Sequence, residues 1–288
     1  MVQLPLEVVR LTGKGANDYL QGQVTADINS LVNPEAAVDA FVLEPTGKVS
    51  SLVTVTRKDD DLILLVDQGY GEALLTRLKR FAIRAKTEFI LEGSARVYIG
   101  DDESAGDAHT LIYEATNLIP DPFVVIMEEE KQKANIESEL HLDIDSFGLL
   151  RAERIAPLMR NLEGTPVFPA TFPDIFTASV SLSKGCYTGQ ELVARMDSRG
   201  SAAPLAFSTF VPIDSVDSLD SAIAPEALTV EGVDAGKVIE FYNRDSKLLL
   251  ATGYIKRTYA DDWSLEFMGS SSKVRFMRFK FSHENISL

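Results

Sequence analysis

Lys184-Gly185-Cys186-Tyr187-Thr188-Gly189-Gln190-Glu191 holds the only cysteine of a 288-residue chain. Thr188 followed by Glu191 has the form of a capping box, so the spacing predicts a helix that starts here and runs through Leu192, Val193 and Ala194. Cys186 and Tyr187 then stand just ahead of a helix N-terminus, where free backbone N–H groups and the helix dipole favour negative charge. Lys184, just upstream, adds a formal positive charge. A thiol in that field is expected to ionise below its ordinary pKa of ~8.5. The competing reading is a tight glycine turn around an inert thiol, since free cysteine often packs as a small hydrophobe.

Composition narrows the roles open to this cysteine. A single Cys excludes an intramolecular disulfide framework and any all-Cys metal site within the chain, and it fits a reducing compartment. The hydrophobic share of 45% is ordinary for a folded protein. The Met1 to Arg10 segment shows neither a basic leader nor a long apolar stretch, and the apolar runs Leu62 to Val66 and Phe123 to Met127 are strand-sized. A soluble, cytoplasmic protein with no membrane role is therefore expected. The net charge of −15 opposes contact with phosphate backbones, so no direct nucleic-acid partner is expected. Arginine nevertheless gathers at two places, with Lys184, Arg195 and Arg199 in one segment and Arg151, Arg154 and Arg160 in another. These are either small-anion contacts or solvated charge interleaved with Asp and Glu.

Periodicity predicts a strand over Val8 to Leu11 and a helix over Ala16 to Ile28. A hairpin-rich stretch follows, with strands at Val38 to Leu43, Val49 to Thr56 and Leu62 to Val66, turned at Pro45-Thr46-Gly47 and at Lys58 to Asp61. Ala73 to Phe81 has helical spacing with Leu74, Leu75, Leu78 and Phe81 as its apolar stripe. Further strands are expected at Arg96 to Ile99, Thr110 to Tyr113 and Phe123 to Met127. A helix over Asp145 to Ile155 should be capped by Asp145 or Ser146 and stopped near Pro157, before a packed proline- and Phe-rich loop from Gly164 to Asp174. Beyond Gly200, Leu205 to Pro212, Leu228 to Val230, Lys237 to Tyr242, Leu248 to Ile255 and Val274 to Phe281 read as strands, with Asp214 to Ala224 as a loop. Strands mixed with isolated helices, without a βαβ rhythm, indicate an α+β fold with a small C-terminal β domain beginning near Ser201 to Pro204.

Few motifs carry chemistry outright. His109, His141 and His283 are scattered without metal-ligand spacing, so no metal site is expected. No G-x-S-x-G, G-x-G-x-x-G or G-x-x-x-x-G-K-[ST] occurs, and Gly13-Lys14-Gly15 is too short to bind phosphate on its own. Glu153, in Gly148-Leu149-Leu150-Arg151-Ala152-Glu153, is a carboxylate on a largely apolar helix. It must face solvent, pair with a neighbouring arginine, or receive adjacent N–H donors from a planar heterocycle in bidentate fashion.

Three stretches now carry a resemblance over most of the chain. Lys184 to Arg195, read as K-G-C-Y-T-G-Q-E-L-V-A-R, resembles the signature of the YgfZ family of folate-binding proteins, relatives of the glycine-cleavage T-protein. Tyr19-Leu20-Gln21-Gly22-Gln23-Val24-Thr25-Ala26-Asp27 resembles that family's F-L-Q-G-Q-x-T-x-D segment, and Gly148 to Glu153 its G-x-x-R-x-E segment. Gly47-Lys48 resembles the turn of its first hairpin. The resemblance implies a T-protein-like fold, with two interleaved α+β subdomains forming a folate-binding region over residues 1–200 and a C-terminal β-barrel domain over 201–288, around a central channel. It implies tetrahydrofolate or a folate derivative as cofactor, with Glu153 on the pterin ring, Lys184, Tyr187 and Arg195 among the folate-side contacts, and Cys186 as the reactive residue. Its partners would be iron–sulfur client enzymes, including a tRNA methylthiotransferase.

Two functions compete within this resemblance. One is a folate-dependent accessory protein for assembly or repair of iron–sulfur enzymes. The other is an aminomethyltransferase of the T-protein type, moving a one-carbon unit to tetrahydrofolate. The catalytic aspartate of the T-protein aligns near Leu74 in Asp67-Gln68-Gly69-Tyr70-Gly71-Glu72-Ala73-Leu74, which disfavours the second.

Overall fold

The computed structural model describes residues 1–93, 95–99, 112–119, 121–127, 140–198, 203–220 and 224–280. The chain divides into two compact units, one formed by Met1–Phe147 with Phe176–Ala194 and the other by Gly148–Ile175 with Arg195–Leu288.

Two five-stranded sheets build the first unit. The larger runs in the order Ala37–Leu43, Val49–Lys58, Asp61–Asp67, Leu6–Thr12, Glu88–Leu91, antiparallel throughout. Its central strands are buried along most of their length because Val, Ile and Leu occupy both faces. The Pro45-Thr46-Gly47 turn forms as expected, with Gly47 N donating to Glu44 O at 2.8 Å. The second sheet has the order Leu140–His141, Val2–Gln3, Arg96–Ile99, Phe123–Ile126, Ile112–Tyr113. Thr110, at the start of the expected strand there, lies outside the described residues, as do His109, His283, Arg199 and Phe281.

Two helices of this unit differ from expectation. The first spans only Ala16–Gln21, and a 3-10 turn follows at Ile28–Ser30. Beyond Gly22 the backbone is recruited elsewhere. Thr25 N donates to Phe41 O at 3.0 Å, and Val24 bridges Val42. A helix cannot keep amides that a strand has taken. The second helix covers Gly71–Lys79 and buries Leu74, Leu75 and Leu78, but Phe81 falls beyond its end and stays exposed.

The second unit centres on a closed barrel with strand order Leu205–Pro212, Lys247–Lys256, Val233–Arg244, Glu226–Val230, Glu266–Gly269, Arg275–Arg278, returning to the first. Glu266–Gly269 escaped the sequence reading because it is short and half exposed. Phe210 stacks edge-on against Phe267 at 5.6 Å and against Phe276 at 6.3 Å, filling the barrel with aromatic surface.

The helix expected from Asp145 spans Ile144–Ala152. Its cap is Asp143, whose Oδ1 accepts from Asp145 N at 3.0 Å and Ser146 N at 2.8 Å. Hydrogen bonds from Ser146 hold the Asp143 carboxyl below its usual range. Ahead of the C-terminal strands, the Gly164 to Asp174 stretch carries a 3-10 turn at Pro169–Thr171 and leads into a helix at Pro173–Ser179, which periodicity could not show in so short a segment. Among the described residues no helix is long and apolar enough to cross a membrane.

Candidate functional site

In the first unit, the stretch Lys184 to Glu191 and the stretch Tyr19 to Asp27 come together. Ser181 N donates to Thr25 O at 3.0 Å, and Thr25 Oγ1 donates to Ser179 O at 2.6 Å. Lys184 is turned inward, its Nζ donating to the carbonyls of Val24 at 2.9 Å and Ala26 at 2.6 Å. Burial pushes its ammonium down to about 8, with the Asp27 charge acting in the opposite direction. Thr188 N donates to Gly22 O at 3.0 Å. Tyr187 is buried beside Lys184, its ring centroid 5.3 Å from Nζ, and its phenol oxygen has no hydrogen-bond partner among the described residues. Cys186, between these two buried anchors, is exposed.

The helix after this loop starts at Gln190, one position past Gly189, which has φ +81°. Thr188 Oγ1 donates to Gln23 Oε1 at 3.4 Å. Gly189 lets the backbone lie against the first hairpin. A Cβ there would sit 2.7 Å from Glu44 O and 3.2 Å from Gly47 Cα. Gly47 is equally confined, since its own Cβ would meet Leu192 Cβ at 2.8 Å. The Lys184 ammonium is thus engaged by backbone carbonyls of the Tyr19 to Asp27 stretch.

Arg77, which sequence reading passed over, fastens this junction from beneath. Its guanidinium is buried, donates to Leu43 O and, at 3.3 Å, to Gln23 Oε1, and lies 3.4 Å from Glu44 Oε1. It also stacks over Phe81, 4.3 Å from the ring centroid. In sequence it is one cation in a basic run, indistinguishable from solvated charge. Arg77→Met, which keeps the apolar stem but strands these acceptors, is expected to destabilise the protein by about 2–3 kcal/mol. Urea denaturation measures that loss, and faster amide exchange at Thr188 would show that the cysteine loop loosens with it.

In the second unit, each residue of the Gly148 to Glu153 segment has a separate task. Gly148 permits close packing, since a Cβ would stand 2.7 Å from the Tyr242 ring and 2.9 Å from Leu158 Cδ1. Arg151 is buried and donates to Pro157 O at 3.1 Å. The helix ends in a Schellman pattern, with Ala156 N donating to Arg151 O and Ile155 N to Ala152 O, both at 3.0 Å. Ile155 takes the left-handed position at φ +55°, where glycine is usual, and its side chain is buried. Glu153 therefore lies at the C-terminal end of the helix, its N still donating to Leu149 O at 3.1 Å. Its carboxylate is half-buried and makes no hydrogen bond or ion pair among the described residues. Desolvation raises its pKa, against the opposing pull of Arg244 and Arg154. Such a group suits paired N–H donors from a ligand.

The arginine clusters read from sequence are used differently. Arg151 is tied to Pro157, and Arg160 pairs with the buried Glu240, which also accepts from Asn161 Nδ2 at 2.6 Å and from the Tyr242 hydroxyl at 2.8 Å. These contacts hold the Met159–Leu162 turn on the barrel rather than forming an anion site. Arg195, on the helix after the cysteine loop, is exposed. Among the described residues no group of His, Cys, Asp or Glu is arranged to hold a metal ion.

No protein-family model matches the chain. Curated relatives do. The tRNA-modifying protein YgfZ of Colwellia psychrerythraea is 27% identical over 291 aligned residues, covering 92% of this chain and 86% of that protein. Proteins of the same name from Vibrio atlanticus and Photorhabdus laumondii are 27% and 26% identical, each across 67% of this chain and 63% and 65% of their own lengths. Among solved structures, the glycine cleavage system aminomethyltransferase T of Bartonella henselae matches with a TM-score of 0.74, over 97% of this chain and 85% of that one. Its 14% identity speaks for the fold alone.

Proposed function

We propose that this chain, similar to YgfZ proteins and with the T-protein fold, is a tetrahydrofolate-binding accessory protein that assembles or repairs iron–sulfur enzymes through Cys186. The observation that carries this reading is the loop in which Lys184 and Tyr187 are buried while Cys186 between them is exposed. A segment held this firmly presents one sulfur outward, as a group that acts on a partner requires. One thiolate cannot hold a cluster alone, so the client enzyme supplies the other ligands. The relatives' name, tRNA-modifying protein, agrees with a tRNA methylthiotransferase among those clients.

In this reading the folate-binding region spans residues 1–200 and the barrel domain 201–288. Glu153 receives the pterin N–H groups, and its lack of a donor among the described residues supports that role. Lys184 and Tyr187 support the loop around Cys186, while Arg195, exposed on the following helix, approaches the anionic end of the folate. Tetrahydrofolate, when bound, supplies nitrogens that carry a one-carbon unit. The aminomethyltransferase alternative needs an aspartate where this chain has Leu74, and Leu74 is fully buried within the Gly71–Lys79 helix.

Complementation tests the proposal. In a strain lacking the protein, the wild type should restore iron–sulfur enzyme activity and Cys186→Ala should not. Equal restoration by both would remove the thiol from the function.

A further inference from the structure

The stretch Ala73 to Thr87 contains Arg77, Lys79, Arg80, Arg84 and Lys86 and no carboxylate, in a chain whose net charge is −15. Lys79, Arg80, Arg84 and Lys86 are exposed and make no ion pair among the described residues. Gly13-Lys14-Gly15 joins them from a distant part of the chain. Gly15 N donates to Lys86 O at 3.1 Å. A Cβ on Gly13 would lie 2.8 Å from Lys86 O and one on Gly15 2.9 Å from Lys86 N, so only glycines allow this approach. The turn sets the exposed Lys14 beside Lys86, giving the short glycine motif a structural use. Within the cationic run stand two apolar side chains, Ile83 at 90% exposure and Phe81 at 36%.

We infer that this surface docks a protein partner whose face is acidic around an apolar contact. Charge complementarity calls for an anionic occupant, and the aliphatic Ile83 decides its class. A nucleic acid rewards stacking on aromatic faces, but gains little from an isoleucine and is repelled by the rest of this acidic molecule. A protein interface rewards an apolar centre within a charged rim. Glu72 and Glu88 bound the stretch and limit the docked face. The inference deepens the accessory-protein reading, and rests on it only in that a client protein is what docks.

The test uses the full chain and a fluorescein-labelled synthetic peptide of alternating glutamate and leucine, followed by anisotropy. Binding should weaken as salt rises. The triple charge reversal Arg80→Glu, Arg84→Glu, Lys86→Glu should weaken it at least ~tenfold, and Ile83→Ser about fivefold. All four side chains are exposed, so circular dichroism should match the wild type. Absence of peptide binding, or equal binding to the triple variant, overturns the proposal. So does binding of unfractionated tRNA that the charge reversals abolish and Ile83→Ser leaves intact. Tetrahydrofolate titration of the same variants should give wild-type affinity. A folate titration that fails even for wild type, with peptide binding intact, counts against the folate reading and leaves the docking surface standing.

Discussion

Gly189→Ala is expected to destabilise the protein by about 2–5 kcal/mol and, under the proposed function, to abolish support of iron–sulfur enzymes. Two independent costs combine. An alanine at φ +81° adopts the left-handed region at ~1–2 kcal/mol. Its Cβ also enters space 2.7 Å from Glu44 O and 3.2 Å from Gly47 Cα. Both neighbours are backbone atoms of a hairpin, which cannot rotate aside as a side chain can, and overpacking of this kind costs ~1–3 kcal/mol. Relief requires the loop to lift from the hairpin, carrying Cys186 with it. Gly69→Ala is the control, since Gly69 has φ +90° with nothing within 4 Å of its would-be Cβ. It should show the backbone cost alone. Urea denaturation of both variants decides the matter: equal losses would mean that Gly189 does not lie against the hairpin in solution.

Under the proposed function, Glu153→Gln should weaken tetrahydrofolate binding by about tenfold to a hundredfold while leaving stability unchanged or slightly higher. The two halves share one cause. The wild-type carboxylate is half-buried without a donor among the described residues, so folding leaves its charge poorly solvated, and desolvation raises its pKa. A neutral amide escapes that cost. It cannot, however, accept two N–H bonds on two anionic oxygens. The sign of the pH dependence follows. A raised carboxyl takes up a proton earlier in the folded state, so the apoprotein gains stability from this group as pH falls through the raised pKa. Ligand affinity should fall over that same range, above the ordinary carboxyl value of ~4.3. Calorimetry from neutral to mildly acidic pH measures it. An affinity that is flat with pH, or unchanged in Glu153→Gln, removes Glu153 from the folate site.

Much of this molecule was legible from local pattern. Barrel strands such as Leu205–Pro212 and the hairpin strands Ala37–Leu43 and Val49–Lys58 follow from apolar runs separated by turn residues, whose physics is local. Errors fell where tertiary contacts override that pattern. The helix from Ala16 stops at Gln21 because Phe41 and the Lys184 ammonium claim the groups beyond Gly22. The cap belongs to Asp143, and only the backbone geometry separates it from its neighbours Asp145 and Ser146.

Local pattern carried most of the strands, the small C-terminal β domain and the residues of the cysteine loop, because residue types and spacing are written there. Only the tertiary structure decided what each of them touches. Lys184 reads as a charge for the thiol, yet burial turns it onto the carbonyls of Val24 and Ala26. Arg77 reads as solvated, yet it holds Gln23 and Leu43 from within. In both cases a long side chain follows the desolvated acceptors that distant segments bring to it, and no local pattern records those acceptors.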